Sequence, residues 1–120
     1  MDWTLDKKRP ICPQITERLC IMIANEEIRA GERLMSVRDV AVNAGVTPNT
    51  VQKSFEQLEQ TGVIYGVRGS GWYVSDDTHI AKDVLDNLLR EKTFAYLSDM
   101  RSLGLSDDRI IDLIKEYRNE

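Results

Sequence analysis

Asn49 stands three residues before Gln52 and four before Lys53, so two amides and an ammonium share one side of any helix built over them. Amide heads pair bidentately with adenine, and cations pair with guanine or phosphate, so such a face offers the chemistry of duplex readout. Arg38 and Arg68 add guanidinium groups suited to phosphate or to a narrow, strongly negative minor groove. Each residue also has a plainer reading. Asn49 can be a polar first-turn residue, Gln52 and Lys53 a solvated helix face, and Arg68 an exposed arginine on an ordinary turn.

The element that must present these groups runs from Gly45 to Gly62. Pro48 has its ring angle already set for a first helical position, and the Thr47 hydroxyl before it is placed to cap an orphaned backbone N–H. Val51, Phe55 and Leu58 recur at helical spacing and form one apolar stripe. Gly62 supplies the left-handed position that commonly ends a helix. Glu56 and Glu59 would repel phosphate, so only the first two turns, Thr47 to Lys53, are expected to face a duplex.

Upstream, Ser36-Val37-Arg38-Asp39 reads as the capped start of a shorter helix, with Val37, Val40 and Ala41 inward. Ala44-Gly45-Val46 turns the chain into the next helix, which makes the pair a helix-turn-helix. An earlier amphipathic helix from Pro13 to about Asn25 carries Ile15, Leu19 and Ile23 toward the core. Arg33-Leu34-Met35 is long enough only for a short extended piece. The opening stretch to Arg9 has no periodicity and ends in Lys7-Lys8-Arg9, which suits a solvated flexible arm or one that touches phosphate.

Downstream, Val63-Ile64-Tyr65 and Trp72-Tyr73-Val74 are β-branched and aromatic runs around a glycine-rich loop, a hairpin signal. A helix-turn-helix followed by a hairpin is a winged helix. Beyond Ser75 the character changes. Ile80, Val84 and Leu88 form one helical row and Ala81, Leu85 and Leu89 the adjacent one, continuing, bent near Lys92-Thr93 or straight, through Phe94, Leu97 and Met100. Gly104 stops that helix, and Ser106 caps a last one with Ile110, Leu113, Ile114 and Tyr117 on its apolar side. Two amphipathic helices cannot enclose a core of their own, so this tail must cover the winged domain, a second copy, or both.

The formal charge is −4, but residues 1–75 carry nine Lys/Arg against nine Asp/Glu, while residues 76–120 carry seven against eleven. The acidity belongs to the tail, and a polyanion partner needs only a local basic surface. No apolar run approaches the roughly 18 residues that span a bilayer, and the N-terminus lacks the layout of a signal peptide, so a cytoplasmic protein without a membrane partner is expected. Cys12 and Cys20, eight residues apart on one helix, would sit about 12 Å apart, too far for a disulfide. The lone histidine, His79, suits a capping or solvent role better than that of a base or ligand. No zinc spacing, phosphate loop or nucleophile constellation occurs, so neither an enzyme, a metal nor a cofactor is expected.

The residues also resemble a known family. Gly31-x-x-Leu34-x-Ser36-x-Arg38-x-x-Ala41-x-x-x-Gly45-Val46, Asn49-Thr50-Val51, Leu58-x-x-x-Gly62 and Gly69-x-Gly71-x-x-Val74 look like the DNA-binding domain of the GntR family of bacterial transcription regulators. Pro10-Ile11-x-x-Gln14-Ile15 fits its first helix. The short tail and Pro48-Asn49-Thr50-Val51-Gln52-Lys53 are similar to the YtrA subfamily. The resemblance implies that Arg38 contacts the DNA backbone and sometimes a base, that Thr47, Pro48, Asn49 and Thr50 start the recognition helix, and that Gln52, with Lys53 beside it, is an exposed contact. It implies that Arg68 and Gly69 make the minor-groove contact. Pro48 stands where many members have arginine, which shifts readout onto Asn49; Met35 replaces a usual proline, and Trp72-Tyr73 a small residue and an aromatic.

The expectation is therefore a mainly α protein with a small β-hairpin: a winged helix-turn-helix over residues 1–75, then a two-helix dimerisation tail over 76–120. Its partners would be double-stranded DNA, as a palindromic operator, and a second copy held through Ile80, Val84, Leu85, Leu88, Leu89 and Leu97. The resemblance implies a homodimeric repressor of its own operon, one encoding an ABC-type transporter. Any small-molecule effector, of unknown identity, would bind at the dimer interface or in a surface groove. The rival is a winged-helix protein-interaction module, with Trp72, Tyr73 and the tail binding a protein.

Overall fold

The computed structural model describes residues 3–118; Met1, Asp2, Asn119 and Glu120, which the expected domain ranges include, lie outside the described residues. The elements run α1 (Ile11–Ala24), α2 (Val37–Ala44), α3 (Pro48–Thr61), β1 (Ile64–Val67), β2 (Gly71–Val74), α4 (His79–Ser102) and α5 (Asp107–Arg118). They form two compact units, one closing at Leu85 and the other beginning at Asp86, so the division falls inside α4.

Local signals set most boundaries of the first unit. The Ser36 hydroxyl accepts the Asp39 N–H at 3.0 Å, which starts α2. Gly45, at φ 69°, ends it in the left-handed region, and Gly62, at φ 88°, does the same for α3. At Thr47 the expectation fails in detail. No side-chain cap forms there; the hydroxyl pairs with that of Thr50 at 3.0 Å, while the Thr47 carbonyl takes the first helical N–H groups. The first helix begins at Ile11 rather than Pro13, because a proline in the opening turn removes only an N–H that has no partner there.

Ile15, Leu19 and Ile23 of α1, Val40 of α2, and Val51, Phe55 and Leu58 of α3 close one core. The hairpin seals it. β1 and β2 pair antiparallel in the register Ile64↔Val74 to Val67↔Gly71, burying Ile64 and Val74, and Trp72 meets Phe55 edge to face at 5.6 Å. Cys12 and Cys20 are free, and burial, reinforced by Glu17, pushes the Cys20 thiol up to about 11.

The expected flexible arm is a correction. Trp3 is 4 % exposed and Leu5 packs on the core. Asp6 and Gln14 exchange hydrogen bonds, the Asp6 N–H donating to Gln14 Oε1 and Gln14 Nε2 to the Asp6 carbonyl, both at 2.8 Å. Lys7 Nζ donates to the Gly45 carbonyl at 2.6 Å, so the arm is strapped to the turn between α2 and α3. Two isolated apolar residues carry no period, which is why the sequence pattern missed them.

In the second unit α4 continues without a break; Thr93 satisfies its hydroxyl on the Leu89 carbonyl at 2.7 Å. Gly104 turns the chain, the Ser106 hydroxyl accepts the Arg109 N–H, and Arg101 grips Asp107 through two bonds of 2.8 and 2.9 Å. Ile110 is fully buried.

Candidate nucleic-acid interface

The first two turns of α3 divide as the apolar stripe dictates. Val51, Ser54 and Phe55 are buried, while Thr47, Pro48, Asn49 and Lys53 are exposed and Thr50 and Gln52 half-buried. Anchoring from α1 fixes this presentation. The Ser54 hydroxyl reaches the Cys12 carbonyl of α1 at 3.5 Å, and Cys12 Sγ donates to the Thr50 carbonyl at 3.4 Å. A helix held from behind keeps its front face at constant orientation, which base readout demands.

Arg38, exposed on the first turn of α2, shares a groove of about 350 Å³ with Pro48 and with Gly71 and Trp72 of β2, near the turn end of the hairpin. Arg68 and Gly69 stand exposed at the hairpin tip, where Gly69, at φ 79°, has open space around its α-carbon. Among the described residues Arg38, Lys53 and Arg68 make no ion pair, so the three cations around the start of α3 and the wing are left for an outside anion. Gln52 differs: its amide donates to Glu56 at 3.1 Å and must exchange that bond before meeting a base.

Three participants escaped the sequence pattern. Glu59, read as a repeller of phosphate, accepts the Gly66 N–H at 3.0 Å and ties the wing to α3. Lys7 reaches Gly45, two residues before the start of the reading surface. Arg33 lines the same groove as Arg38. Their signals are long-range contacts, invisible to helical or strand periodicity.

In the proposed dimer set, Ile80, Val84 and Leu85 pack against the core of their own winged unit. Leu88 and Leu97 are half-buried and Leu89 is 61 % exposed. His79 is exposed at the start of α4, where its N–H is capped by Asp77 at 3.0 Å. No helix among the described residues is long and apolar enough to cross a membrane.

A helix-turn-helix backed by a third helix, flanked by a two-stranded wing and fronted by unpaired cations, defines the winged-helix class of DNA-binding proteins. Residues 13–74 match the model of the bacterial regulatory proteins of the gntR family, and the chain belongs to the GntR family. It is similar to the transcriptional regulator YhcF of Bacillus subtilis, 29 % identical over 117 residues covering 98 % of this chain and 97 % of that protein. It is also similar to the transcriptional repressor YtrA of the same organism, 30 % identical with 89 % and 83 % covered, which agrees with the subfamily resemblance. A GntR family regulator from Listeria monocytogenes superposes with a TM-score of 0.80 at 32 % identity, covering 93 % of this chain and 98 % of that one. The protein is thus a transcriptional regulator with a DNA-binding domain. Its family and relatives are regulators of transcription rather than enzymes.

Proposed function

We propose that the protein is a cytoplasmic, homodimeric repressor that reads a palindromic operator in its own operon. The observation that carries this reading is the exposed start of α3, Thr47 to Lys53, with Arg38 and Arg68 on either side and no carboxylate paired to either arginine. Asn49 reads a base edge in the major groove, with Thr47, Pro48 and Thr50 shaping the approach. Gln52 joins after releasing Glu56. Arg38 and Lys53 neutralise phosphate, and Arg68 and Gly69 enter the minor groove. The repressor function draws support from the name of YtrA, and an operon for an ABC-type transporter from the subfamily resemblance.

Few cations per subunit make a single copy a weak binder, because each neutralised phosphate contributes to affinity. Two copies double the contacts and set half-sites roughly 34 Å apart. Residues 76–120 supply the pairing in this reading. Leu89 and Phe94 on α4 and Ile114 and Tyr117 on α5 are half-exposed or more, an apolar surface that a second copy would cover. Against the protein-interaction rival, Trp72 packs edge to face on Phe55 and Tyr73 stacks on Tyr65 at 5.8 Å, so both rings already have partners within the winged unit.

The test is selection of the preferred duplex from a random pool, followed by titration of variants on it. A palindrome is expected. Arg38→Ala and Asn49→Ala should each weaken operator binding at moderate salt by about tenfold or more, near the 1–3 kcal/mol of one specific contact. Unchanged binding would remove both residues from the interface.

A further inference from the structure

Arg33 has an exposed side chain on a fixed backbone. It pairs with Tyr73 in an antiparallel bridge, the Leu34 N–H donates to the Trp72 carbonyl at 2.8 Å, and the Val74 N–H donates to the Glu32 carbonyl at 2.9 Å. This segment makes an isolated β-bridge along β2. Alternation along a strand sends Leu34, 5 % exposed, into the core and Arg33 to the other side.

There the guanidinium lies on the wing backbone at Gly71. A β-carbon at Gly71 would stand 3.1 Å from Arg33 Nε and 3.3 Å from one Nη, so the absence of a side chain there, at a φ of 137° that favours glycine, lets the guanidinium lie this close to the wing backbone. Arg33 and Arg38 line one groove with Ser36, Pro48, Gly71 and Trp72, and no acidic side chain lines it. Neither arginine side chain makes a hydrogen bond or ion pair among the described residues. Two guanidinium groups facing one cleft, without a counter-charge, are complementary to an anion that passes through it. The cleft runs from the start of α2, past the start of α3, to the turn end of the wing.

We propose that Arg33, lying against Gly71, pairs with Arg38 to clamp the phosphate backbone of duplex DNA beside the wing. This rests on the DNA-binding reading above and adds to it a contact that carries no base sequence. The occupant is the sugar-phosphate backbone, because a planar guanidinium presents its N–H groups to phosphate oxygens in a fork, and the two here face a cleft with no counter-charge.

The experiment measures affinity of the full chain for its selected operator and for an unrelated duplex across a range of salt concentrations. Arg33→Gln should weaken both by a similar factor, about fivefold to tenfold at moderate salt, and flatten the log–log salt slope by about 0.9 per subunit. Arg33→Lys should keep the slope while losing part of the affinity, since it keeps the charge but not the fork. A wild-type slope in Arg33→Gln, or a loss confined to the operator, overturns the clamp while leaving DNA binding intact. Wild-type protein that binds no duplex at any salt overturns the DNA-binding reading and the clamp together.

Discussion

The chain has two phenylalanines, and their surroundings are opposite: Phe55 is wholly buried between α1, α3 and the wing, while Phe94 on α4 is 69 % exposed. The contrast extends to the units around them. Up to Leu85 every element contributes to one closed core, whereas from Asp86 onward Ile110 alone among the described residues is fully buried. A segment below about 40 residues cannot enclose a core by itself. The first unit spends its apolar residues on its own fold and leaves cations outside. The second keeps its apolar residues outside, where only another surface can bury them.

The largest effect that would sharpen this contrast comes from Phe55→Ala, expected to cost about 3–5 kcal/mol of folding stability in chemical denaturation, because it empties the centre of a closed core. A cost below about 1 kcal/mol would mean the winged unit is not packed around Phe55. In the second unit, Leu89→Asp with Phe94→Asp should leave unfolding of the winged unit nearly unchanged. Sedimentation should instead show self-association weakened at least about tenfold, or about 1.4 kcal/mol. An unaltered association constant would place the pairing surface elsewhere and break the comparison.

Smaller effects probe the helix ends. Ser36→Ala removes the cap on α2 and should cost about 1 kcal/mol, with thermal melting as the readout. The smallest concerns the exposed junction of the tail. Hydrogen bonds from Arg101 hold the Asp107 carboxyl below the usual carboxylate range. A depressed folded value stabilises above the unfolded value and is lost as pH falls through the folded one. Wild type and Asp107→Asn should therefore differ slightly at neutral pH and converge below about pH 4, a comparison made by following helix signal in acid titration. A gap that persists into acid would assign the difference to something other than this pair.

Helix and strand order was legible because its signals are local. Ser36 before α2, Gly45 and Gly62 after helices, Pro48 at a first turn, and the β-branched runs of the wing each act within a few residues. The site was legible to the same depth: Asn49 and Lys53 face outward because Val51 and Phe55 must face inward. Local spacing misreads Thr47 as a side-chain cap, because it has a second local partner, the Thr50 hydroxyl, and chooses it over the backbone.

Thus the amino-acid sequence by itself determined the elements, the apolar stripes and the face of α3 that stays in water. Tertiary structure alone decided that Trp3 and Lys7 strap the N-terminal arm to the core and the helix-turn-helix turn, and that Glu59 holds the wing. It also decided that Arg33 lies on Gly71 beside Arg38. Periodicity fixes which way a side chain points from its own element. Which distant backbone group it meets depends on how the elements pack, and a contact between residues tens of positions apart leaves no period to read.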